Sequence, residues 1–84
     1  MKLKYVVFEE DGTQKPILFP QEISHDTFAY LKPLSAGFCR ISRGRDLDEF
    51  YCSTAYGKSV SLDLESRFED KGILNQYLRE ASLS

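Results

Sequence analysis

The sequence predicts an α+β domain with the element order β-β-α-β-β-α: a predominantly antiparallel sheet of four or five strands, with two helices on one face. Three observations predict it. Asp11-Gly12 separates two runs rich in β-branched and aromatic residues, a strong short-range hairpin signal. A second pair of such runs flanks the polar loop Arg43-Gly44-Arg45-Asp46-Leu47-Asp48. Near the end of the chain, Leu74, Tyr77, Leu78 and Ala81 recur at i, i+3, i+4 and i+7, the stripe of a one-sided helix.

The first strand covers Leu3 to Glu9 and its return strand runs from about Gln14 to Phe19. With Asp11 and Gly12 as the loop, Val6 faces Ile17, Tyr5 faces Leu18 and Lys4 faces Phe19. One face then carries Val6, Phe8, Ile17 and Phe19, and the other Leu3, Tyr5, Val7 and Leu18. A one-sided sheet alternates apolar with polar, so the second apolar face needs a cover of its own. Pro16 donates no ladder hydrogen bond and assigns its strand to a sheet edge. With both helices on the other side, Leu3, Tyr5, Val7 and Leu18 form an exposed interaction patch. Such a patch is commonly buried by pairing across a twofold axis into a homodimer. The competing expectation is a monomer in which the chain after Pro20 or the C-terminal helix covers it.

Ile23-Ser24-His25-Asp26-Thr27-Phe28 reads as a helix start, with Ser24 as N-cap and an Ile23 to Phe28 hydrophobic staple. Pro33 ends this helix after about two turns, so Phe28 and Leu31 must dock on the sheet. Leu34 to Ser42 and Glu49 to Ala55 form the third and fourth strands. A hairpin centred between Arg45 and Asp46 pairs Ile41 with Phe50, Cys39 with Cys52 and Gly37 with Thr54. A short apolar-polar stretch, Ser59 to Leu62, follows Gly57. Ser66-Arg67-Phe68-Glu69 fits the capping box S-x-x-E ahead of the last helix, and residues 82–84 are expected to fray.

A chain of 84 residues makes a single domain, 1–84. Its 42% hydrophobic content is too high for disorder, and no apolar run approaches the ~18 residues of a membrane span. Eleven basic against thirteen acidic residues give a net charge of −2, which disfavours a strongly basic nucleic-acid binder. Two cysteines are too few for a disulfide scaffold, and a cytoplasmic setting follows.

The chemistry-bearing residues are few. Sequence neighbours on a helix point about 100° apart, so Ser24-His25-Asp26 is not a triad by adjacency; it reads as a cap followed by exposed first-turn residues. Cys39 and Cys52 read as two buried thiols, since one His and no C-x-x-C leave too few metal ligands. Gly57-Lys58-Ser59 lacks the earlier glycine of a phosphate loop, for Cys52 occupies that position. No catalytic residue, metal site or cofactor is expected. The best functional cluster is Arg40, Arg43 and Arg45 beside Phe38, Tyr51 and Tyr56. Guanidinium groups on a ribbon can contact phosphates, and Tyr51 can stack on a base. Asp46, Asp48 and Glu49 oppose those arginines almost one for one, so tight nucleic-acid binding is not expected.

Tyr5-Val6-Val7-Phe8-Glu9, Ile17-Leu18-Phe19-Pro20, Ile23-Ser24-His25, Ser35-Ala36-Gly37-Phe38-Cys39, Tyr56-Gly57-Lys58-Ser59-Val60-Ser61-Leu62 and Ile73-Leu74-Asn75-Gln76-Tyr77-Leu78 together resemble a group of small proteins of unknown function encoded in tailed phages and prophages. The resemblance implies a phage or prophage origin and the cytoplasm of a bacterium or infected host. It brings no reaction, ligand or catalytic residue. The functional expectation is a non-enzymatic accessory factor that contacts a host or phage protein. The alternative is a nucleic-acid-binding module using the Arg40/Arg43/Arg45 hairpin.

Overall fold

A computed structural model describes residues 1–45 and 49–83. The fold is α+β, as the sequence predicts. Strands β1 (Lys2–Glu10), β2 (Thr13–Phe19), β3 (Ser35–Arg43) and β4 (Phe50–Tyr56) form one antiparallel sheet in the order β2-β1-β3-β4. Strands β5 (Lys58–Ser59) and β6 (Leu64–Glu65) make a second, two-stranded sheet. A 3-10 helix spans His25–Leu31, and helix α1 spans Asp70–Leu83. No helix among the described residues is long and apolar enough to cross a membrane.

The first hairpin has the predicted register: Val6 opposite Ile17, Tyr5 opposite Leu18 and Lys4 opposite Phe19. Asp11 and Gly12 both adopt positive φ, at 53° and 78°, as the tight turn between twisted strands requires. Pro16 lies on an edge strand, and its ring nitrogen removes a donor that would otherwise face away from β1.

The disposition of the helices differs from the expectation of two on one face. Helix α1 packs over Tyr5, Val7, Cys39, Ile41 and Cys52 through Leu74, with Leu3 and Leu18 half-buried at the margin. The 3-10 helix and the β5–β6 sheet cover the opposite face, where Phe28, Leu62 and Leu64 pack on Val6, Phe19 and Ala36. Two apolar faces demand two covers, and each helix takes one. The patch Leu3, Tyr5, Val7 and Leu18 is therefore interior, with Tyr5 and Val7 fully buried. That face is not available for dimer contact.

The segment after Ser24 closes i to i+3 bonds, Thr27 N–H to Ser24 O and Lys32 N–H to Ala29 O, instead of an α-helix. Seven residues that include His, Thr, Phe and Tyr lack the propensity and length to nucleate one. Ser24 is the N-cap residue but makes no side-chain cap bond.

The second hairpin is shifted from the expected pairing, by two residues next to the loop and by three beyond Ser53. Ile41 faces Cys52, Arg43 faces Phe50, and Cys39 faces Ala55. A bulge at Ser53 interrupts the ladder between Arg40 and Ile41. Next to the loop the even shift keeps the expected faces; beyond the bulge the odd shift moves Thr54 to the Arg40 face and turns Ala55 toward α1. The expected hairpin centre, next to Asp46, lies outside the described residues.

Helix α1 begins at Asp70, three residues after the Arg67 start that a Ser66 N-cap implies. Asp70 takes the reciprocal role: its Oδ2 accepts the Arg67 backbone N–H at 2.9 Å. The same oxygen accepts the Tyr5 hydroxyl at 2.7 Å, and Oδ1 lies 3.0 Å from the Arg67 guanidinium. This buried carboxylate ties α1 to the centre of β1. The helix continues to Leu83, past the start of the expected frayed tail; residue 84 lies outside the described residues.

The free edge of β4 is closed by a side chain. Asn75 Oδ1 accepts the Cys52 N–H at 2.7 Å and Asn75 Nδ2 donates to Cys52 O at 3.1 Å. One amide thus imitates a neighbouring strand.

Two predictions follow from these contacts. Tyr5→Phe should cost about 2 kcal/mol in urea unfolding, because it removes a bond to a buried charge; Asp70→Ala should cost about 3–5 kcal/mol. Asn75→Leu should lower stability by about 1–2 kcal/mol and unblock the Cys52 edge. Sedimentation velocity should then show more concentration-dependent self-association than the wild-type chain gives.

Candidate functional site

The chain's reactive side chains are mostly interior. His25, expected at an exposed first turn, is buried, with only 5% of its surface accessible. Its Nε2–H donates to Gly37 O at 2.9 Å, and its ring stands edge-on to Phe19 and Phe38. Burial lowers its pKa; repulsion from Lys4 adds to this, and the bond to Gly37 opposes it. Ser24 and Asp26 are exposed. Cys39 and Cys52 are buried, free thiols on one face of the sheet, though they are diagonal neighbours and not direct partners. Burial, reinforced by the neighbouring Cys52, pushes the Cys39 thiol up to about 12. The Cys52 thiol is also raised by burial, with a backbone hydrogen bond at Thr54 opposing the shift. The Tyr5 phenol is raised well above its ordinary range, first by burial and further by the Asp70 carboxylate, while its bond with Ser66 opposes the shift. Among the described residues no three His, Cys, Asp or Glu side chains gather into a metal-binding group. Gly57-Lys58-Ser59 leads into the β5–β6 turn instead of a helix.

The four residues expected to contact nucleic acid do not form one cluster. Strand alternation and register put Arg40 and Tyr51 on the face opposite α1. Arg43 lies on the α1 face, its guanidinium 5.5 Å from the centre of the Phe50 ring. Arg45 is exposed at the start of the loop. Of the three acids set against them, Glu49 lines the recess beside Phe50 and Asn75 at the β4 edge, while Asp46 and Asp48 lie outside the described residues.

The face around Arg40 is the part of the sheet left open. The 3-10 helix and β5–β6 cover the half bearing Val6, Phe19 and Ala36. On the remaining half, β1 contributes Lys2 and Lys4, β3 contributes Phe38, Arg40 and Ser42, and β4 contributes Tyr51, Thr54 and Tyr56. None of these eight is acidic and none is fully buried. Lys2 sits directly opposite Arg40 in the ladder. Among the described residues, neither has an ion-pair partner, nor has Lys4. Lys2 Nζ lies 5.1 Å from the centre of the Phe38 ring, and Phe38 stacks with Tyr56 at 6.0 Å and 27°. Lys4 Nζ donates to Ile23 O at 3.0 Å, which positions the ammonium without neutralising it.

Sequence reasoning found Arg40, Tyr51, Phe38 and Tyr56 but not Lys2 or Lys4. Their place beside Arg40 depends on the β1–β3 pairing, for which no local turn signal exists. No family model, curated protein or solved structure matches this chain.

A prediction follows from His25. Its folded-state pKa lies below its ordinary value of 6.5, so the unfolded chain binds the proton more readily. Stability from this residue is complete above about pH 6.5 and is lost as pH falls below it. Urea midpoints should be level from about pH 7 to 8 and decline between about pH 6.5 and 5. His25→Gln should remove that part of the decline.

Proposed function

We propose that the protein is a non-enzymatic binding module that holds an anionic partner on the open half of its sheet. The observation that carries this reading is the pair Lys2 and Arg40, like charges directly opposite each other with no ion-pair partner among the described residues. A like-charge pair across a ladder is unfavourable by up to about 1 kcal/mol, and an arriving anion relieves it. Burial of His25, Cys39, Cys52, Tyr5 and Asp70 supports the non-enzymatic part, because none presents a reactive atom on an accessible surface.

The reading as a protein-binding accessory factor loses the hairpin patch on which it leaned. It retains support from Phe68 and Val60, two apolar side chains that stand almost wholly in solvent.

Heparin, a polyanion without bases, tests the anionic reading. The wild-type chain should be retained on a heparin column at ~50 mM salt and released as salt rises. Arg40→Glu and Lys2→Glu should each abolish retention, whereas Lys71→Glu on α1 should leave it unchanged. Flow-through of the wild-type chain, or equal loss with Lys71→Glu, overturns the reading.

A further inference from the structure

We propose that the open half of the sheet binds single-stranded nucleic acid, with phosphates on Lys2, Lys4 and Arg40 and bases stacked on Tyr51 and Tyr56. The inference rests on this face being an anion-binding surface and adds the chemistry of the partner. A simple polyanion needs only the cations. This half-face also carries two aromatic rings on β4, Tyr51 and Tyr56, beside Arg40 on β3, with Lys2 and Lys4 one strand further on. Adjacent strands lie about 4.8 Å apart, so a backbone tracking the cations can turn its bases onto the rings.

The site is already organised. Tyr56 is held by its stack on Phe38, and Phe38 is braced edge-on by the buried His25 ring. Lys2 lies over the Phe38 ring and Lys4 is bonded to Ile23 O, so both ammonium groups are fixed near the sheet surface. Tyr51 has 47% of its surface exposed, enough to offer a base one side of its ring. A duplex keeps its bases stacked on one another and has no free faces for these rings, so the arrangement favours a single strand. Three phosphate contacts make the binding modest, consistent with a chain whose net charge is −2.

Fluorescence anisotropy with a labelled oligothymidylate of about 12 nucleotides tests this. The wild-type chain should bind in the micromolar range at ~50 mM salt and about 20-fold more weakly at ~200 mM, from three contacts at a slope of ~0.7 each. The duplex of the same length should bind at least fivefold more weakly than the single strand. Arg40→Glu should cut affinity at least tenfold and flatten the salt dependence. Tyr51→Ser should cut it about fivefold or more with the salt slope kept, and should leave heparin retention unchanged. Both side chains are exposed, and a thermal melt verifies that each variant remains folded. Equal binding of duplex and single strand, or an unchanged affinity with Tyr51→Ser, overturns the inference. If heparin retention through Arg40 then persists, the anion-binding reading survives and an acidic protein surface becomes the partner. Loss of heparin and oligonucleotide binding together overturns both.

Discussion

Tyr5, Val6 and Val7 are three consecutive, fully buried residues in one strand. Neighbours in a strand point to opposite faces, so this triplet obliges the fold to cover both sides of its sheet. Helix α1, with fourteen residues, covers one side. The other side receives only a 3-10 helix and two strands of two residues each, which cover Val6, Phe19 and Ala36 and touch Phe38 through His25. The half-open face is thus a consequence of unequal covers on a sheet that needs two. Where cover ends, the residues change from Val6 and Ala36 to Lys2, Lys4 and Arg40 along the same strands.

Each cover is pinned by a polar group that burial would otherwise penalise. Asp70 is the anchor for α1: an unpaired buried carboxylate costs several kcal/mol, and here Tyr5 and Arg67 satisfy both oxygens. His25 is the anchor for the 3-10 helix, through its bond to Gly37 O. Gly37 serves both sides. A Cβ there would sit 2.5 Å from Tyr56 O and 3.2 Å from Ser66 Cβ, so only glycine lets β4 and the start of the α1 segment close over β3. The two anchors meet the sheet at paired positions, since Gly37 lies opposite Tyr5.

What was legible in the sequence was local. Asp11-Gly12 determines the first register because a two-residue loop leaves no freedom in the pairing, and Pro16 marks the edge because it has no N–H to give. The Leu74, Tyr77, Leu78 stripe reveals a helix but not the face it takes, since either side of the hairpin is apolar enough. The second hairpin was misread because a longer loop permits several registers, and the bulge at Ser53 has no signature in Cys52-Ser53-Thr54-Ala55. The candidate site inherits these differences. Arg40 and Tyr51 were found because they lie in recognisable strands, and Arg43 was wrongly joined to them because adjacent loop positions look clustered in sequence. Lys2 and Lys4 were missed because they sit more than thirty residues from Arg40.

Net charge does not describe this surface, for a related reason. At physiological ionic strength, fields are screened over about 8 Å, so a ligand responds to the charges it touches and not to the sum over the chain. Much of the acidic excess lies elsewhere: Glu9, Glu10 and Asp11 at the tip of the first hairpin, Asp63 and Glu65 around the small sheet, and Asp70 and Glu80 on α1. Asp70 is also buried and paired with Arg67, which removes one charge of each sign from the surface. The eight-residue open half-face has three cations and no acid, so its local balance is opposite in sign to the net charge of −2. An acidic chain with a small basic face repels polyanions at long range and attracts them at contact. For the anionic partner proposed above, that combination limits encounter rate and affinity while preserving the orientation of docking.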